Sequence, residues 1–96
     1  MFVYILECSD SSYYVGVTNN IEKRVSEHND GLDIGCYTYI RRPVKLAYYN
    51  EFSDNMDAIR AEKQLKGWAR AKKKALIDGD IELLMLLSKN NENKEE

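Results

Sequence analysis

Arg24 and His28 stand four residues apart in "IEKRVSEH", a spacing that on a helix sets a guanidinium fork and an imidazole on one face, about one turn apart. Such a pair can grip a phosphate and titrate beside it. The same pair is also a common sight on an ordinary solvated helix face. Glu62 is the sharper feature. At 3.6 residues per turn Ala58, Ala61, Leu65 and Ala69 form one apolar stripe, and Glu62 falls inside it. A carboxylate on a core-facing surface needs a compensating charge, either a bound divalent cation or an ion pair with Arg24 or a nearby lysine. Along the opposite side run Arg60, Lys63, Lys66 and Arg70, and Lys72, Lys73 and Lys74 extend the run. From Arg60 to Lys74 seven basic residues face the single acid Glu62, a net +6 in a chain whose overall charge is -2. Such a patch suits a phosphate backbone whatever the global charge. Tyr4 in "FVYIL" and Tyr14 in "YYVGV" complete the set. Gly16 lies two residues beyond Tyr14, and a glycine inside a strand often marks the close approach of a ligand or another backbone.

The elements that must position these groups follow from local pattern. Residues 2–7 and 13–18 are rich in Val, Ile, Tyr and Phe and flank the turn-forming "CSDSS", which predicts a β-hairpin. Both faces of the first strand are apolar, as in a central strand covered on each side. "TNNIEKRVSEHNDG" predicts a helix over residues 20–29, with Asn19 as N-cap, Glu22 completing a capping box, Ile21 and Val25 facing the core and Gly31 ending it. A loop, "GLDIGCYTYIRRPV", leads to a third strand at "KLAYYNEF". Asp54 caps a helix over 55–68, "RAKKKALIDG" forms a shorter one, and "IELLMLL" a last apolar one. The pattern predicts a single domain over residues 1–88, with 89–96 as a frayed tail.

Composition bounds the function. Ninety-six residues support one modest core, and 44% apolar with 31% charged residues describes a folded domain rather than a disordered chain. Cys8 and Cys36 match no metal spacing and no disulfide framework, which points to a reducing, cytoplasmic home and to no role for either thiol. The apolar opening run is too short to span a membrane and lacks the flanks of a secretory signal.

With these residues in order, the chain resembles the GIY-YIG nuclease superfamily, and within it the small stand-alone bacterial branch. "FVY" (Phe2, Val3, Tyr4) corresponds to the first motif and "YVG" (Tyr14, Val15, Gly16) to the second; the helix arginine matches Arg24, the following histidine His28 and the metal-binding glutamate Glu62. "HNDG", "YT", "RRPVKL" and "EKQLKGWARAKK" extend the likeness to about Ile77. The resemblance implies an α+β fold, a small three-stranded antiparallel sheet flanked by helices, in which the two tyrosines meet beside one phosphodiester. It implies hydrolysis of nucleic acid, DNA first, with one Mg²⁺ or Mn²⁺ on Glu62. Tyr4 or Tyr14 would orient or deprotonate water, Arg24 would neutralise the phosphate, and His28 would hydrogen-bond a tyrosine or the phosphate. A phenol, with an ordinary pKa near 10, needs help to act as a base at neutral pH.

The sequence also departs from the family pattern. Phe2 replaces the first glycine of the motif, and Val17 stands where some members carry a lysine that lowers a tyrosine pKa. The asparagine that follows the glutamate helix in some members has no counterpart. The alternative is therefore a nucleic-acid-binding module that keeps the fold without cutting. Oligomeric state is not readable from the sequence.

Overall fold

Phe2–Glu7, whose first four residues alternate aromatic and β-branched side chains, forms β1, and Tyr13–Thr18 forms β2 antiparallel to it, with Tyr4 opposite Gly16 and Leu6 opposite Tyr14. The computed structural model describes the backbone of residues 1–95 and the side chains up to residue 88. The third strand, β3 at Lys45–Glu51, pairs antiparallel with the other edge of β1, giving the order β2-β1-β3. The doubly apolar first strand is thus central. Tyr4 and Leu6 join Cys8 and Val44 in one core cluster, on which Tyr14, Ile21 and Val25 pack. Val3 and Ile5, which alternate to the opposite face, are equally buried.

Helix α1 covers Ile21–Asp30, one residue later than expected. Asn20, rather than Asn19, is its N-cap: its backbone is extended and its side-chain Oδ1 accepts the Lys23 amide at 3.1 Å. Thr18 fixes this choice, because its hydroxyl bonds both the amide and the carbonyl of Asn20. Gly31 closes the helix at φ 67°, in the left-handed region, and a side chain there would also run into the Arg42 guanidinium. The loop that follows contains one 3-10 turn, Tyr39–Arg41. It is sewn down at both ends. Asn29 bonds both the amide and the carbonyl of Val44, at 2.7 and 2.9 Å, and Arg41 pairs with Asp10 in the hairpin turn at 3.1 Å.

Helix α2 runs Asn55–Lys66, packs against β1 and β2, and buries Ala58 and Leu65. It ends two residues before the expected 68, so Ala69 leaves the stripe and instead precedes α3, Arg70–Asp78. The chain falls into two compact units, Met1–Lys66 and Gly67–Glu96. In the second, α3 packs with α4, Ile81–Glu95, after Gly79 terminates α3 at φ 71°. The segment from 89 onward, expected to fray, is helical in backbone to Glu95, while its side chains and Glu96 lie outside the described residues.

Candidate active site

Tyr4 sits at the middle of the central strand, 1% exposed, its ring lying across the strand opposite. Gly16 is what allows this, because a Cβ at that position would collide with the Tyr4 ring and hydroxyl. The close approach at Gly16 is thus that of a side chain, the Tyr4 phenol, and not the ligand or backbone expected there. The Tyr4 hydroxyl lies 3.1 Å from His28 Nε2 and within hydrogen-bonding reach of the Arg24 guanidinium. Burial raises the Tyr4 pKa, and the hydrogen bond and positive charge of Arg24 oppose that rise.

Tyr14 meets Tyr4 on the same face, ring centroids 6.5 Å apart. Its own ring stacks on Tyr37 and meets His28 edge-on at 5.2 Å. Arg41 caps this column, its guanidinium 3.8 Å above the Tyr37 ring. Burial pushes the Tyr14 pKa up to about 12, and the neighbouring Cys36 and Tyr4 add to it. Both phenols are thus neutral in the resting protein.

Because α1 is regular from Ile21, the i, i+4 spacing does bring Arg24 and His28 onto one face, directed at the tyrosines. Arg24 also pairs with Glu27, Nε to Oε1 3.2 Å, with its side chain 42% exposed. His28 spans the site. Its Nδ1 is 2.8 Å from Thr38 Oγ1, and Thr38 donates to Cys36 Sγ at 3.4 Å. Burial, and then the charge of Arg24, lower the His28 pKa, so the ring is neutral near pH 7. Tyr14, Arg24, Glu27, His28, Cys36 and Thr38 help line a cavity of about 300 Å³. Thr38, 1% exposed, entered the sequence reading only within the "YT" of the family likeness, with no role given to it, and Cys36, whose thiol was expected to have none, also reaches His28. Their roles depend on how the loop folds back over α1, for which no local signal exists. Cys8 is a core residue.

Glu62 stands on α2 with its side chain 18% exposed and Oε2 3.2 Å from Lys66. Of the two compensations open to it, the ion pair with a nearby lysine is present, while Arg24 is engaged by Glu27. Its charge still reaches Tyr4, where it raises the phenol pKa. Among the described residues no three His, Cys, Asp or Glu side chains cluster as a metal cage. A single carboxylate is nonetheless compatible with a hard divalent ion that keeps most of its waters.

The basic residues are less uniform than their sequence. Arg60, Lys63 and Lys66 are exposed on α2, with Arg60 paired to Asp57 at 3.4 Å. On α3, Arg70 and Lys74 are exposed and Lys74 pairs with Asp78 at 2.9 Å. Lys72 is buried, its ammonium 4.4 Å from the Trp68 ring centroid, and burial lowers the Lys73 pKa.

Residues 1–75 match the family model described as "GIY-YIG catalytic domain". The chain is 43% identical over 77 residues to UPF0213 protein YazA of Bacillus subtilis, spanning 80% of this chain and 77% of that protein. It is 47% identical over 76 residues to a UPF0213 protein of Syntrophus aciditrophicus, 79% and 87% of the respective lengths. Among solved structures it resembles the solution structure of UPF0213 protein BH0048 from Bacillus halodurans, with 36% identity, a TM-score of 0.53, and 80% and 81% of the two chains covered. The solution structure of EF2693 from E. faecalis is similar at 34% identity and a TM-score of 0.57, covering 81% and 82%.

Proposed function

The chain belongs to the GIY-YIG family, whose fold is that of nucleases, and from that premise we propose that it hydrolyses phosphodiester bonds in nucleic acid, DNA first, with Mg²⁺ or Mn²⁺ held by Glu62. One observation carries the reading: a buried phenol, Tyr4, lies 3.1 Å from His28 Nε2 with the Arg24 cation at hand. The adjoining cavity, about 300 Å³, suits a phosphate and its sugar rather than a large cofactor.

Of the two tyrosines we assign the relay to Tyr4, for its contact with His28 Nε2, although it is Tyr14 that lines the cavity. A neutral phenol is a weak base alone, but it can take a proton from water while handing its own to His28. As water attacks phosphorus, its proton goes to the Tyr4 oxygen, the Tyr4 proton goes to Nε2, and the bond to the leaving oxygen breaks with its electron pair on that oxygen, which takes a proton from solvent. Arg24 faces the charge growing on the phosphate oxygens and exchanges Glu27 for them. Tyr14, with a pKa of about 12, holds its proton and serves as wall and donor. When bound, a divalent ion on Glu62 supplies Lewis-acid stabilisation of the leaving oxygen. Lys66 must release Glu62 for this, and the pair they form favours the second reading, a module that binds without cutting. Exposed Arg60, Lys63, Lys66, Arg70 and Lys74 would meet the phosphate backbone, whereas Lys72 and Lys73 contribute less because they are buried or partly so. No helix among the described residues is long and apolar enough to cross a membrane, and two free cysteines suit a cytoplasmic setting.

The test is incubation with branched, nicked, single-stranded and duplex DNA and RNA, with Mg²⁺, with Mn²⁺ and with chelator. Metal-dependent cleavage that Tyr4→Phe abolishes and Tyr14→Phe only slows supports the assignment. Binding without cleavage on every substrate and ion would establish the second reading instead.

A further inference from the structure

We propose that Thr38 is a positioning residue that fixes the tautomer of His28, with Cys36 as the group that sets the direction of the hydrogen bonds between them. The inference rests, for its catalytic consequence only, on the nuclease reading above. The argument begins with the Tyr4 proton. Tyr4 is 1% exposed, and a hydroxyl buried so deeply needs an acceptor. Arg24 has donors only, so it occupies a lone pair of the Tyr4 oxygen and cannot take the proton. His28 Nε2, at 3.1 Å, is the neighbour able to accept it, and Nε2 must then be unprotonated.

A neutral imidazole without a proton on Nε2 carries one on Nδ1. Nδ1 lies 2.8 Å from Thr38 Oγ1 and therefore donates to it. The Thr38 hydroxyl, itself 1% exposed, sends its proton to Cys36 Sγ at 3.4 Å. The opposite orientation, with Thr38 donating to Nδ1 and Nε2–H donating to Tyr4, would leave the Tyr4 proton without an acceptor. The chain therefore runs from Tyr4 through His28 and Thr38 to Cys36, and Tyr14 lies within hydrogen-bonding reach of the same sulfur. Neutral histidine in water favours its proton on Nε2, the nitrogen that would then be useless as an acceptor for Tyr4. Thr38 reverses that preference by satisfying Nδ1–H.

His28 is the single histidine of the chain, so its ring nitrogens can be read without assignment ambiguity. Nitrogen-15 correlation spectra at pH 8, without metal or nucleic acid, should show the proton on Nδ1 in the wild type and in Thr38→Ser. Thr38→Val, which keeps the shape and removes the hydroxyl, should shift the ring toward the Nε2–H form. A wild type protonated on Nε2, or a folded Thr38→Val with the ring unchanged, would overturn the proposal. Should Thr38→Val fail to fold, the wild-type and Thr38→Ser spectra decide alone. On a cleavable substrate, Thr38→Val should lower kcat about 10-fold at unchanged KM, with Thr38→Ser restoring it, as expected for the orienting partner of a working histidine. If the wild type cuts nothing, the nuclease reading falls and the spectra still decide the role of Thr38.

Discussion

Single side chains decide whether this site can work, and Glu62 is the first to ask about. Replacing it by glutamine removes the charge that would hold a cation and forfeits an i, i+4 pair with Lys66 worth only about 0.3–0.5 kcal/mol. Glu62→Gln should therefore end divalent-dependent cleavage and leave the melting temperature nearly unchanged; a stable variant that still cuts with Mg²⁺ would remove Glu62 from the metal role. Arg24 is 42% exposed, so Arg24→Ala should fold normally and lose cleavage, whereas a collapsed melting transition would make Arg24 a structural residue. His28 gives a pH signature. Its pKa is lowered in the fold, so below the ordinary value near 6.5 the unfolded chain binds the proton more readily than the native one. Stability from this group is complete above about 6.5 and falls as pH drops toward the folded value. Denaturant titrations of the wild type and His28→Gln between pH 7 and 5.5 should show the shallower loss in the variant.

At the scale of elements, the strands were legible because their apolar runs are dense and the turn between them is polar, and β1 declared itself central by being apolar on both faces. The pairing of Arg24 and His28 on one face of α1 was legible for a related reason, since helical spacing is set by the chain alone. Helix ends were less so. Asn19 and Asn20 are chemically identical cap candidates, and the choice belongs to the Thr18 hydroxyl; α2 stops at Lys66 although "GWA" carries no proline to say so. The contacts of Thr38 and Cys36 with His28 were not legible, because a loop of irregular backbone brings them there from ten and eight residues away. Two substitutions probe how the elements hold the site. Gly16→Ala forces a Cβ into the Tyr4 phenol and should cost about 1–3 kcal/mol in chemical denaturation, as overpacked positions do. Asn29→Asp keeps the acceptor for the Val44 amide and sets a carboxylate against the Val44 carbonyl, with an expected loss of about 1–3 kcal/mol. An unchanged denaturation midpoint in either would show that the loop and hairpin are secured elsewhere.

For the whole molecule, net charge and local charge say different things. The chain carries -2, yet Arg60 and Lys63 present exposed cations on α2. Arg60→Ala with Lys63→Ala should weaken nucleic-acid binding uniformly across sequences and flatten the dependence of affinity on salt by about 0.9 per lost phosphate contact on duplex DNA. An unaltered salt slope would place the docking surface elsewhere. The sheet order has a consequence of another kind, for the time course of folding. β1 comes first among the strands but lies between two partners: β2 follows after a short turn, whereas Phe2 waits for Glu51. During synthesis, which proceeds at roughly 5–20 residues per second, the hairpin emerges seconds before β3 and offers an open strand edge in the meantime. The Tyr4, His28 and Thr38 partnership is complete in sequence before that edge is closed, so the proton path can be assembled on the nascent chain while the sheet that must hold it is still unfinished.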